Sequence, residues 1–125
     1  MRVFRTKWFA RFERQEGLIY DKLIVAIQEV NNGLTDGNLG GGLVKKRIGR
    51  AGAGKRGGYR TIVALRLDKR AFFVYGFAKS AIDNLDDVEL RGYQKLATIL
   101  LGFSDAELTK AIEAGELREL NYDAE

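Results

Sequence analysis

The stretch from Tyr59 to Phe77 constrains the fold more than any other part of the chain. Tyr59–Leu67 (YRTIVALRL) is β-branched and largely apolar, and Ala71–Phe77 (AFFVYGF) is apolar and aromatic. Both compositions suit a pleated strand. Only Asp68-Lys69-Arg70 separates the two, so the chain must turn tightly and pair them antiparallel. Two strands this long and apolar belong at the centre of a sheet.

The flanking segments supply the rest. Arg2–Thr6 (RVFRT) alternates and predicts a short opening strand. Trp8, Phe9, Phe12 and Gln15 fall at helical spacing, and Gly17 ends that helix. A second helix is expected from Leu18 to Val30, with Leu23, Ile24, Ile27 and Val30 on one face and Asp21, Lys22, Gln28 and Glu29 on the other. Asn31-Asn32-Gly33 stops it, glycine being the common left-handed C-terminal residue. Residues 34–42 read as a loop, Leu43–Ile48 as a strand and residues 49–58 as a glycine-rich basic loop. Val88, Leu90, Tyr93, Leu96, Ala97 and Leu100 predict a helix over residues 86–101, ended by Gly102. Ser104-Asp105-Ala106-Glu107 has the form of a capping box and opens a last helix that stops at Gly115. The expected order is β-α-α-β-β-β-α-α. It gives an α+β fold, an antiparallel sheet packed by helices mainly on one face. With no repeats, no low-complexity linkers and no proline, residues 1–125 read as a single domain.

What the chain lacks narrows its chemistry. It has no Cys, so disulfides and thiolate metal sites are excluded. It has no His, the commonest metal ligand and the one side chain that titrates unperturbed near neutrality. No metal site or cofactor is expected. Acid–base work would fall to Lys, Arg, Tyr, Asp or Glu. No apolar run approaches the roughly 18 residues of a membrane span, and no signal-like apolar stretch follows Met1. A cytoplasmic protein without membrane contact is the expectation.

Charge is divided along the chain. Residues 1–80 carry 17 Lys/Arg against 6 Asp/Glu, and residues 81–125 carry 4 against 11. Lys45, Lys46, Arg47, Arg50, Lys55, Arg56 and Arg60 follow one another without an intervening acid, threaded with Gly49, Gly52, Gly54, Gly57 and Gly58. Like charges this crowded are best tolerated against a polyanion, and glycines let backbone N–H groups approach phosphate oxygens. Two phosphate-binding motifs fit by letter and fail on context. The run Gly49-Arg50-Ala51-Gly52-Ala53-Gly54-Lys55 is followed by Arg56, where a P-loop needs Ser or Thr. Gly52, Gly54 and Gly57 have the dinucleotide-fold spacing, yet a strand follows them instead of a helix. Alternation along the strand puts Lys46 opposite to Lys45 and Arg47. One face then offers cations beside Tyr59, Tyr75 and Phe77, with Lys79 following the last strand. Cations that track phosphates and rings that stack bases suit single-stranded nucleic acid.

Lys45-Lys46-Arg47, Gly52, Gly54-Lys55, Gly57-Gly58-Tyr59-Arg60, Tyr75, Phe77-Ala78-Lys79 and Asn84 together resemble a pattern found in the RelE-like toxins of bacterial type II toxin–antitoxin systems. The opening VFRTKWFARF and the closing FSDAELTKAIEAGEL are similar to the same subgroup. The resemblance implies a microbial-RNase-like sheet and a toxin that inhibits translation by cleaving messenger RNA, with the ribosome as the expected setting. It also implies a cognate helix-turn-helix antitoxin, with operator DNA reached only through that antitoxin. Such an enzyme is metal-independent: the RNA's own 2′-hydroxyl attacks the phosphodiester. Lys46 is the first candidate for the base, as a lysine crowded by cations, with Lys45 the alternative. Arg60 would stabilise charge on phosphate. Lys79 would assist the leaving group or grip a flanking phosphate, and Tyr75 or Phe77 would orient a base. Lys45, Arg47, Arg50, Lys55, Arg56, Tyr59 and Phe77 complete the expected RNA-binding set. The alternatives are a ParE-like gyrase inhibitor and a non-catalytic nucleic-acid-binding module.

Overall fold

The computed structural model describes residues 1–50, 54–78 and 85–122, and for residues 50 and 54–57 the backbone alone. It is an α+β fold, with ten elements among the described residues. β1 (Arg2–Thr6), α1 (Lys7–Glu16) and α2 (Tyr20–Asn31) come first. β2 (Gly37–Gly40), β3 (Leu43–Arg50), β4 (Gly54–Arg66) and β5 (Arg70–Ala78) follow, then α3 (Asp87–Leu101), α4 (Asp105–Glu113) and β6 (Leu117–Leu120). The six strands form one sheet in the order β2-β3-β4-β5-β1-β6. The apolar hairpin β4–β5 lies at its middle, as its composition demands.

Four features differ from the sequence expectation. Two strands are new. β2 is only GNLG and is held by pairing with β3; β6 is LREL, whose buried leucines are three residues apart and carry no strand alternation. One pairing is parallel: β1 runs beside β5 through Arg2–Arg70 to Arg5–Phe73, the others being antiparallel. β3 and β4 reach into the expected basic loop, to Arg50 and from Gly54. Finally, helices cover both faces of the sheet. Phe4, Ile62, Ala64 and Phe72 pack with Ala97, Leu100 and Leu108 of α3 and α4. Val3, Val63, Ala71 and Phe73 pack with Phe9, Leu23, Ala26 and Ile27 of α1 and α2. A central strand with an unbroken apolar run, Ile62–Leu65, needs cover on both sides there.

Local signals fix the joints. Thr6 does two jobs between β1 and α1: its hydroxyl accepts from Phe9 N at 3.1 Å and donates to the Val74 carbonyl at 2.6 Å. Gly17 ends α1 at φ 66, a left-handed position. The Ser104–Glu107 capping box forms as expected, and a second, Asp86–Glu89, opens α3.

The joint that matters most is a β-bulge. Ile62 pairs with Tyr75 and Val63 with Phe73, so Val74 is the extra residue on β5. A bulge shifts side-chain alternation by one. Val74, Tyr75 and Phe77 therefore all join the α3-side core, where strict alternation would have split Val74 from Tyr75. Gly76 turns the other way, and a Cβ there would meet Phe12 ring atoms at 2.6 Å.

Candidate nucleic-acid interface

Past the bulge, three strands present a small grid of side chains toward α3. Leu43 of β3 and Ile62 and Ala64 of β4 belong to the α3-side core, which fixes the phase of both strands. Lys45 and Arg47 share the side of Leu43, and Arg60 shares that of Ile62. Register then sets the rows: Arg47, Arg60 and Phe77 lie across from one another, and Lys45, Ile62 and Tyr75 form the next row. Directly opposed side chains on one face lie about 5 Å apart at Cβ. Strand phase and register thus bring together Lys45, Arg47, Arg60, Tyr75 and Phe77; Arg47 also lines a cleft against Lys22, Val25 and Glu29 of α2. Arg47 is exposed, Lys45, Tyr75 and Phe77 are half-buried, and Arg60 is 9% exposed.

Two expected site residues lie on the opposite face. Lys46 is 3% exposed, its ammonium donating to the Leu34 carbonyl at 3.0 Å and paired with the Glu29 carboxylate of α2 at 2.9 Å. It ties α2 to the sheet and points away from Arg60. Tyr59 is 5% exposed; its ring meets Phe12 edge-on at 5.6 Å and its hydroxyl donates to the Glu16 carbonyl. Alternation explains both, because each is one residue out of phase with the cationic face. The side chains of Arg50, Lys55 and Arg56, and the whole of Lys79, lie outside the described residues.

Next to the grid, α1, β5 and α3 enclose a cleft of about 400 Å³ lined by Trp8, Tyr75, Glu89, Gly92, Tyr93 and Leu96. Tyr75 stands between Phe77 (ring centroids 6.0 Å) and Tyr93 (5.7 Å). Burial pushes the Tyr93 hydroxyl up to about 12, with Tyr75 and Glu89 adding to the rise. Sequence reasoning put Trp8 and Tyr93 on helical stripes and missed this role. The signal that could have raised it is the Glu89, Gly92, Tyr93, Leu96 spacing, which places one acid, one gap and one ring on a single helix face.

A second cationic surface adjoins the first. Lys7, Arg11 and Arg14 recur at helical spacing on α1 and line a cleft of about 340 Å³ with Arg118 of β6 and Trp8. Lys7 also pairs with Glu116 at 3.1 Å and lies over the Trp8 ring at 5.6 Å. Two acids of the C-terminal section pair at the other end of the sheet. Glu119 holds Arg2 in a two-bonded pair at 2.9 Å, and Asp105 approaches Arg2 and Arg70 at 3.7 Å. These contacts sit where β1 and β5 begin, away from Arg60 near the end of β5.

A family model described as the RelE toxin of the RelE / RelB toxin-antitoxin system matches residues 1–120. No curated protein matches the chain.

Proposed function

The chain belongs to the RelE toxin family, and we propose that it is a metal-independent endoribonuclease that cuts messenger RNA on the ribosome and so stops translation. Membership makes it the toxin of a toxin–antitoxin pair, and an antitoxin partner follows from that. We take that partner to be a helix-turn-helix protein that carries any contact with operator DNA.

The observation that supports this reading is the grid itself: three cations and two aromatic rings on one sheet face, in adjacent rows. RNA carries its own nucleophile, so the protein has three tasks: take the 2′ proton, steady the charge on phosphorus and help the 5′ oxygen leave. Arg60 is the fork for the non-bridging oxygens. Lys45 takes the role of base, since Lys46 is committed to Glu29 and Leu34 across the sheet. Arg47 grips the adjacent phosphate. Lys79, next after β5, is the donor to the leaving oxygen. Tyr75 and Phe77 hold a base so that its ribose hydroxyl lines up for attack.

The test is induction of the chain alone in bacteria, with primer extension on an abundant message. Discrete new 5′ ends accompanying growth arrest support the nuclease. Arrest with intact message and damaged DNA would mean a gyrase inhibitor. Salt-dependent RNA binding with no cut would mean a binding module.

A further inference from the structure

We propose that the cleft between Trp8, Tyr75 and Tyr93 holds one unpaired nucleobase of the RNA, and that Glu89 at its rim favours bases that offer hydrogen-bond donors, guanine first, over uracil. This deepens the nuclease reading and rests on it.

Three observations carry the proposal. The first is composition: three aromatic rings converge on one cleft whose wall, through Tyr75, is also a wall of the cationic grid. A base stacked there would leave its phosphate beside Lys45 and Arg60, and Arg11 of the next cleft, which Trp8 also lines, would receive the neighbouring one. The second is Gly92. It sits in the interior of α3 with ordinary helical backbone, and a Cβ built on it would meet nothing within 4 Å. Glycine there weakens the helix relative to alanine, and neither a turn nor a close approach explains it. The room it leaves opens onto the cleft. The third is Glu89. The capping box engages one of its oxygens, which accepts from Asp86 N at 3.4 Å. The carboxylate otherwise only accepts. It matches the ring N–H and exocyclic amino group of guanine, and repels the two carbonyls that flank the single N–H of uracil.

The chain has a single tryptophan, so Trp8 reports on its own cleft. Trinucleotides with 2′-O-methyl riboses, which cannot self-attack, are titrated against the full chain while Trp8 emission is followed. The expected result is saturable quenching by the guanine trinucleotide and binding at least about tenfold weaker for uracil. Glu89→Gln keeps an acceptor for the capping box and should shrink that difference to under about threefold. Gly92→Leu should weaken all four bases by at least about tenfold with an undiminished melting temperature. If Gly92→Leu melts lower, Tyr93→Leu takes its place and should weaken all four in the same way. Equal binding of guanine and uracil by the wild type, or curves unchanged by the cleft variants, would overturn the proposal. So would emission that responds to the antitoxin and to no trinucleotide. Message cleavage read in parallel separates the two readings. A chain that binds bases and cuts nothing contradicts the nuclease alone. Unaltered cleavage by Gly92→Leu contradicts the cleft alone.

Discussion

Lys45 and Lys46 are adjacent in sequence and opposite in fate. On the α2 side of β3, Lys46 is sealed by Glu29 and the Leu34 carbonyl, and the sheet there is closed by Phe9, Leu23 and Ile27. On the α3 side, Lys45 stands in a row with Ile62 and Tyr75, next to Arg47 and Arg60, at the open end of the face. The same residue type serves as a buried tie on one side and as half-exposed charge, the phosphate contact proposed above, on the other. A basic run therefore states how much positive charge the strand carries, and the pleat decides which half of it a ligand can meet.

The largest effect that would break this contrast is at Arg60. Arg60→Ala should reduce message cleavage by about 10²–10³-fold, the range for losing one preorganised charge-stabilising donor. Primer extension measures it, with a melting curve to correct for any loss of folded protein. The opposite face should respond in stability. Lys46→Met takes the buried ammonium from the Glu29 carboxylate and the Leu34 carbonyl and should cost about 2–3 kcal/mol, at the lower end for a broken buried pair because Glu29 is partly exposed. Urea denaturation checks this.

Between the faces, legibility in the sequence was uneven for physical reasons. The hairpin, α1, α3 and the Ser104 capping box were readable because each is specified by residues close together in the chain. β2 and β6 were not, since Gly37–Gly40 and Leu117–Leu120 become strands only by pairing with β3 and β1. Helical cover on both faces was missed, although the unbroken apolar run Ile62–Leu65, which an edge or half-exposed strand would not carry, pointed to it. The alternation of Lys45, Lys46 and Arg47 was also visible. What no local pattern revealed is the bulge at Val74, which turns Tyr75 and Phe77 toward α3 and so assembles the aromatic half of the site.

Two smaller effects are expected. Gly92→Ala should raise stability by about 1 kcal/mol, because the new methyl meets no obstacle and the helix loses an interior glycine. A guanidinium melt detects it, and no gain would mean that the helix has another need for glycine there. The smallest effect lies far from both faces. Arg2 holds the Glu119 carboxyl below its ordinary 4.5, chiefly through their hydrogen bonds. A depressed carboxylate adds stability above its unfolded pKa and loses it as pH falls through the folded value. Arg2→Ala should therefore cost less than about 1 kcal/mol at neutral pH. Its deficit should fade below pH 4.5, which melting curves across pH 2–7 can follow.

The proposed place of RNA cleavage is the α3-side face of β3, β4 and β5. Lys45→Met and Lys46→Met, compared by primer extension per unit of folded protein, distinguish it from the opposite face. Lys45→Met should lose cleavage by at least about tenfold with its melting temperature kept, while Lys46→Met should melt lower and cut at the wild-type positions and rate. Full cleavage by Lys45→Met alongside its loss in folded Lys46→Met would place the chemistry on the other face.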